Sequence, residues 1–169
     1  MDRYGLIKGI AISFILFSIP MALAPLFNAP LSKTLTLMAS TFALEYFAAS
    51  VGAGMGLNPF FVLITILSVG AGVVVLMFGI FEFMGTRSNK VSGFLAKSHG
   101  KAQKSRIIQR YGIYGLIPGA AFLGFYVCPA IAWILGWKKD LSAALIIFGL
   151  GVASAIVLLS TLGVLGLVL

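Results

Sequence analysis

Residues 31–57, LSKTLTLMASTFALEYFAASVGAGMGL, are apolar enough for a bilayer but too interrupted for one simple span. Lys33 stands near the start, Glu45 in the middle, and the small-residue run Ser50-Val51-Gly52-Ala53-Gly54-Met55-Gly56 near the end. Such a stretch either crosses the membrane once or turns back near Glu45 as a re-entrant hairpin. Arms of roughly 10–12 residues would each be about 15–18 Å long, half the hydrocarbon thickness. Non-helical backbone at that depth is tolerated only where protein or a water-filled cavity surrounds it.

The whole chain supports a membrane setting. Of its 169 residues, 60% are hydrophobic and only 9% charged, and its mean hydropathy is +1.10. Soluble domains run at about 45–50% and about 25%, so a soluble enzyme or nucleic-acid binder is excluded on surface grounds. The net charge of +8 then points to basic residues held on the cytoplasmic side. The single cysteine, Cys128, rules out an intrachain disulfide and a cysteine-built metal site.

Leu6–Phe27 is apolar except for Lys8 and reads as a first span. A signal peptide is the alternative, since Ala22-Leu23-Ala24 mimics a cleavage site, although Pro25 is a poor residue to follow the cut. Pro25 and Pro30 around Asn28 make a short break. Phe60–Gly85 is an uninterrupted span. Arg87, Lys90, Lys97, Lys101, Lys104, Arg106 and Arg110 then fall in one polar stretch without an acid. Tyr111–Trp137 is apolar and broken at Pro118-Gly119 and Pro129, and Leu141–Leu169 is the last span.

Charge counting chooses between the topologies. Five crossings would place eight basic residues inside and four outside. Three spans with two re-entrant hairpins, at about Lys33–Leu57 and Arg106–Trp137, place every basic residue but Lys33 on the cytoplasmic side with the N-terminus. The positive-inside rule prefers the second. The expected fold is therefore all-α: a polytopic membrane protein with three transmembrane helices and two hairpins turning near Glu45 and Pro118-Gly119. It forms one integral domain: a first helix (1–30), hairpin plus span (31–85), a basic cytoplasmic loop (86–109), and hairpin plus span (110–169).

The halves are alike. Gly56 before one span matches Gly136 before another, and Gly70-Ala71-Gly72-Val73 matches Gly149-Leu150-Gly151-Val152 with one residue of slippage. In the charge-derived topology these units point in opposite directions. That is the inverted repeat of secondary transporters, whose binding site lies where broken helices meet.

Glu45 in an apolar stretch, followed by Gly56-Leu57-Asn58-Pro59, resembles the first half of the small multidrug export family, distant kin of DedA-like membrane proteins. Arg110-Tyr111-Gly112-Ile113-Tyr114-Gly115-Leu116 and Ala132-Trp133-Ile134-Leu135-Gly136 resemble its second half. The resemblance covers roughly Phe42–Gly163. It implies two membrane-embedded hairpins, a transporter role and, by the DedA analogy, movement of lipid-linked phosphate. The chain departs from the family at both hairpin tips. Tyr46 and Phe47 stand where arginine and glycine usually follow the glutamate, and only Pro118-Gly119 and Cys128-Pro129 answer the usual Pro-x-Pro-Gly-Thr-Gly-like turn.

Among candidate residues, Glu45 is the only acid well inside an apolar stretch. An ionisable group at membrane depth faces a cavity or a partner, and a carboxyl there is suited to carry a proton. The alternative is a protonated glutamate that fixes the hairpin by bonding a carbonyl. Arg110, beside Gln109 and Tyr111, offers a planar fork for phosphate or an interfacial charge reaching headgroups. Pro118 and Gly119 would expose backbone to cargo. Glu82 reads as an interfacial ion-pair partner, Asp140 as a helix N-cap, and Cys128 as a packing residue. A lone His99 among lysines makes no metal site. Val91, Phe94, Leu95 and Ala102 fall at the spacing of a short interfacial helix resting on anionic lipid. Gly5-x-x-x-Gly9, Gly52-x-x-x-Gly56 and Gly115-x-x-x-Gly119 permit close helix approach, within the chain or in a homodimer.

The expected function is a small secondary transporter or flippase in the cell membrane. It would move an amphipathic substrate by alternating access, with proton coupling through Glu45. A phosphate-bearing lipid carrier is favoured as cargo; a lipophilic drug, or a non-transporting scaffold, is the alternative. Neither a cofactor, a metal, a nucleic acid nor an enzymatic activity is expected, since no nucleophile with its base and no ligand cluster is present.

Overall fold

The computed structural model describes residues 3–87 and 112–168, whose regular elements are all helical. Helix α1 spans Arg3–Leu23, α2 Leu31–Leu44, α3 Ala48–Gly54, α4 Pro59–Arg87, α5 Leu116–Ile134 and α6 Lys139–Val168. Two 3-10 turns, Glu45–Phe47 and Gly112–Gly115, complete the described elements. Among the described residues, three helical segments are long and apolar enough, by length and composition, to cross a membrane: Leu31–Gly54, Pro59–Phe83 and Lys139–Val164. Ile7–Leu23 and Gly124–Ile134 are shorter apolar helices.

Two boundaries differ from expectation. Helix α1 stops at Leu23 rather than Phe27, because Pro25 has no N–H to continue the ladder. Turn bonds from Leu26 N–H to the Leu23 carbonyl and from Ala29 N–H to the Ala24 carbonyl carry the chain through Asn28. Asp140 lies within the first turn of α6, not at its cap, and complements the helix dipole there.

Helix α2 carries hydroxyls that an apolar medium would leave unsatisfied. Thr34, Thr36, Ser40 and Thr41 each donate to the carbonyl four residues back, which removes the need for water. The chain then reverses. Lys33 Nζ donates to the Met55 carbonyl at 2.7 Å, whereas a straight helix would hold these residues about 33 Å apart. Leu37 lies against Gly52 between the arms. Helix α5 reverses likewise. A Cβ on Gly119 would lie 3.5 Å from Cys128 Sγ, although a straight helix would separate the two by about 13 Å.

After each reversal the chain makes the same connection, 80 residues apart in number. Leu57 and Gly56 N–H donate to the Gly52 and Ala53 carbonyls; Trp137 and Gly136 N–H donate to those of Ala132 and Trp133. Gly56 (φ 70°) and Gly136 (φ 64°) take the left-handed conformation that this helix stop requires. Helix α4 follows with Asn58 Oδ1 accepting from Phe60 N–H and proline at its first position.

The long helices pack on one another through small residues. Gly9 of α1 faces Gly79 of α4, Ser13 Oγ donates to the Gly72 carbonyl, and Ser68 Oγ of α4 donates to the Leu16 carbonyl. These pairings make α1 antiparallel to α4. Between α4 and α6, Leu150 sits over Gly70 while Leu67 sits over Gly151. Phe61, Val62, Ile66, Phe125 and Ile146 are fully buried at the centre. Lys8, Glu82, Lys139 and Asp140 gather at one end.

A Cβ on Gly52 would lie 2.6 and 2.8 Å from the Val62 methyls. Val62 is β-branched within a helix and cannot turn away. Gly52→Val is therefore expected to cost about 1–3 kcal/mol, seen as a lower melting temperature in detergent. Gly54 has open space around it, and Gly54→Ala should leave the melt unchanged or raise it slightly.

Candidate functional site

The two reversals meet. Helix α2 ends where Glu45 N–H donates to the Thr41 carbonyl and Glu45 itself turns to φ 55°, ψ −122°. A residue with a Cβ rarely occupies that region, so surrounding contacts must hold it there. Its side chain leaves the first tip and reaches the second, where Oε2 accepts from Phe125 N–H at 3.2 Å. Oε1 accepts no hydrogen bond from the described residues. The side chain is half-buried.

Phe125 opens the second arm of α5. Its N–H has no helical acceptor, as at any helix start, and a carboxylate there also meets the positive end of the arm's dipole. The opening exists because Gly124 breaks the helix at φ 78°, ψ 172°, backbone that is essentially glycine's alone. A Cβ on Gly124 would fall on the Glu45 carboxylate. A second bond ties the tips together: Tyr126 Oη donates to the Phe42 carbonyl at 2.7 Å. The Phe125 and Tyr126 rings lie 4.6 Å apart, as do those of Tyr46 and Phe47 in the first tip.

The second reversal thus falls at Gly124, not at Pro118-Gly119. Pro118 is the third residue of α5, within the first turn, where a missing N–H costs nothing. Its ring is exposed, and Gly119 packs against Cys128 of the other arm. Neither touches Glu45. Arg110 and Tyr111 lie outside the described residues, as do His99 and the rest of the basic stretch beyond Arg87.

Cys128 is buried and fills space between the arms. Glu82 is ion-paired with Lys139 at the far end of the bundle. Trp133 stacks on Phe81, which makes it a packing residue.

Gly124 and Phe125 did not stand out in the sequence. The signal that finds them is the matched pair Gly56 and Gly136. The same spacing of 80 sets Glu45 against Phe125, beside the glycine that turns. Chemically, the two tips form a junction of one carboxylate, the helix N-terminus it accepts from and one phenol. No family model, curated protein or solved structure matches this chain.

Proposed function

We propose that this chain is a small secondary transporter that moves an amphipathic molecule across the bilayer by alternating access. Its two broken segments act as re-entrant hairpins of an inverted repeat. The observation that carries this reading is the Glu45 carboxylate of one tip bonded to the Phe125 N–H of the other. Broken helices that meet with an uncapped N-terminus and an ionisable group are what transporters use to hold substrate and coupling ion. Either ligand, by replacing the cross-tip bond, would bias the two units apart.

Three further observations support it. Lys33 and Met55 lie together, as expected if the first segment enters and leaves on one side. The matched connections at Gly56 and Gly136 supply the two equivalent units. Lys8 and Lys139 share one end of the bundle, at which α4 also arrives at Arg87. The positive-inside rule puts that end in the cytoplasm. A phosphate-bearing lipid carrier is the favoured cargo, on the resemblance to small multidrug export and DedA-like proteins and on the basic stretch Arg87–Arg110.

The test is flux in reconstituted vesicles under an imposed proton gradient, with a labelled polyprenyl phosphate and a lipophilic cationic dye. Gradient-dependent movement of the phosphate is expected. Movement of the dye alone would make the protein a drug exporter, and movement of neither would leave a non-transporting scaffold.

The hairpin reading has its own test. In a Cys128→Ala background, Ser32→Cys and Gly54→Cys should both react with a membrane-impermeant maleimide from one side of sealed vesicles, and Lys138→Cys from the other. Labelling of Ser32→Cys and Gly54→Cys from opposite sides would make the segment a crossing helix.

A further inference from the structure

A cavity of about 380 Å³ opens at the Lys139 end of the bundle, with α4 as its floor and α1 and α6 as its walls. It exists because Gly9, Gly79 and Ala143 supply almost no side-chain volume at this level. Its lining is divided. Lys8, Glu82, Lys139 and Asp140 contribute two charges of each sign, and Ile12 and Phe78 contribute apolar surface. The charges are not all engaged with one another. Glu82 pairs with Lys139, whereas Lys8 and Asp140 have no ion pair or hydrogen bond among the described residues. Among the described residues, one cation and one anion therefore face the same cavity unpaired.

The geometry points to a binding site for a phospholipid whose headgroup carries both a phosphate and a primary ammonium. Glu82 is about 35 Å along α4 from Pro59, which sets the cavity mouth at headgroup depth if α4 crosses the bilayer. An apolar wall beside a charged mouth suits an acyl chain beneath a headgroup. Lys8 matches the phosphate and Asp140 the ammonium. A purely anionic headgroup would gain Lys8 but set its charge beside Asp140. A trimethylammonium headgroup has no N–H to donate to that carboxylate. The site is separate from the junction at Glu45, and its occupancy does not depend on whether the protein transports.

Purified protein in detergent is titrated with phosphatidylethanolamine, phosphatidylcholine and phosphatidylglycerol of identical chains, and bound lipid is counted by native mass spectrometry. Phosphatidylethanolamine should bind about three- to fivefold tighter than phosphatidylcholine, the range that an exposed ion pair supplies. Asp140→Ala, which removes both the charge and the acceptor, should bring that ratio to one and shift preference toward phosphatidylglycerol. Lys8→Gln should weaken ethanolamine and choline lipids alike by about threefold, leaving their ratio intact. Both positions are exposed, so both variants should fold, which their melting temperatures verify. Equal affinities for the two zwitterionic lipids in the native protein would overturn the proposal. An ethanolamine preference that survives Asp140→Ala would overturn it too, since Asp140 would then serve only the first turn of α6.

Discussion

Gly124→Ala should lower the melting temperature more than any other single methyl added to this protein. Two costs combine. Alanine at φ 78°, ψ 172° occupies backbone that is essentially closed to residues with a Cβ, worth about 1–3 kcal/mol. The new methyl also falls on the Glu45 carboxylate, and overpacking of that kind adds about 1–3 kcal/mol. The total, about 2–6 kcal/mol, is a large part of the stability of a domain this size. The double variant Gly124→Ala/Glu45→Ala separates the costs. Without the carboxylate the overlap disappears and only the backbone cost remains, so the double variant should melt above Gly124→Ala alone. Thermal melts in detergent followed by circular dichroism would decide. If Gly124→Ala melts with the native protein, the tips do not meet as described.

Glu45→Gln should do the reverse, sparing the fold and removing the proton-driven transport proposed above. The glutamine carbonyl can still accept from Phe125 N–H, so the cross-tip bond survives. What is lost is a negative charge at a helix N-terminus, about 0.3–1 kcal/mol. Transport driven by a proton gradient should nonetheless be abolished, because an amide cannot take up and release a proton. Flux at several pH values, in vesicles containing native or Glu45→Gln protein, provides the measurement. A glutamine variant with native rate and native pH dependence would leave Glu45 as a structural acceptor that caps the second tip. The two variants are complementary: Gly124→Ala removes the room for the carboxylate, and Glu45→Gln removes only its capacity to ionise.

Much of the architecture follows from residue order. Phe60–Gly85 and Leu141–Leu169 are expected as spans, and the helices run Pro59–Arg87 and Lys139–Val168. Long apolar runs without charge in their interior have one low-energy home, a helix whose backbone satisfies itself. The break at Glu45 was legible too, since no other acid stands so far inside an apolar stretch. The pairing of Glu82 with a basic residue follows from its place near the end of a long apolar helix.

The second tip was not legible in this way. Pro118-Gly119 carries the strongest local breaker signal, yet Pro118 falls in the first turn of α5, where it breaks nothing. Gly124 carries almost no local signal, being one of 20 glycines in the chain. Composition and spacing determined which medium each segment prefers and where its charges must sit, because those are local transfer energies summed along the chain. Which glycine turns, and which amide the Glu45 carboxylate reaches, only the tertiary structure decided. Positive φ becomes worth its cost where the arms on both sides find partners. Phe125 N–H gains its acceptor from a residue 80 positions away only once the two units have docked.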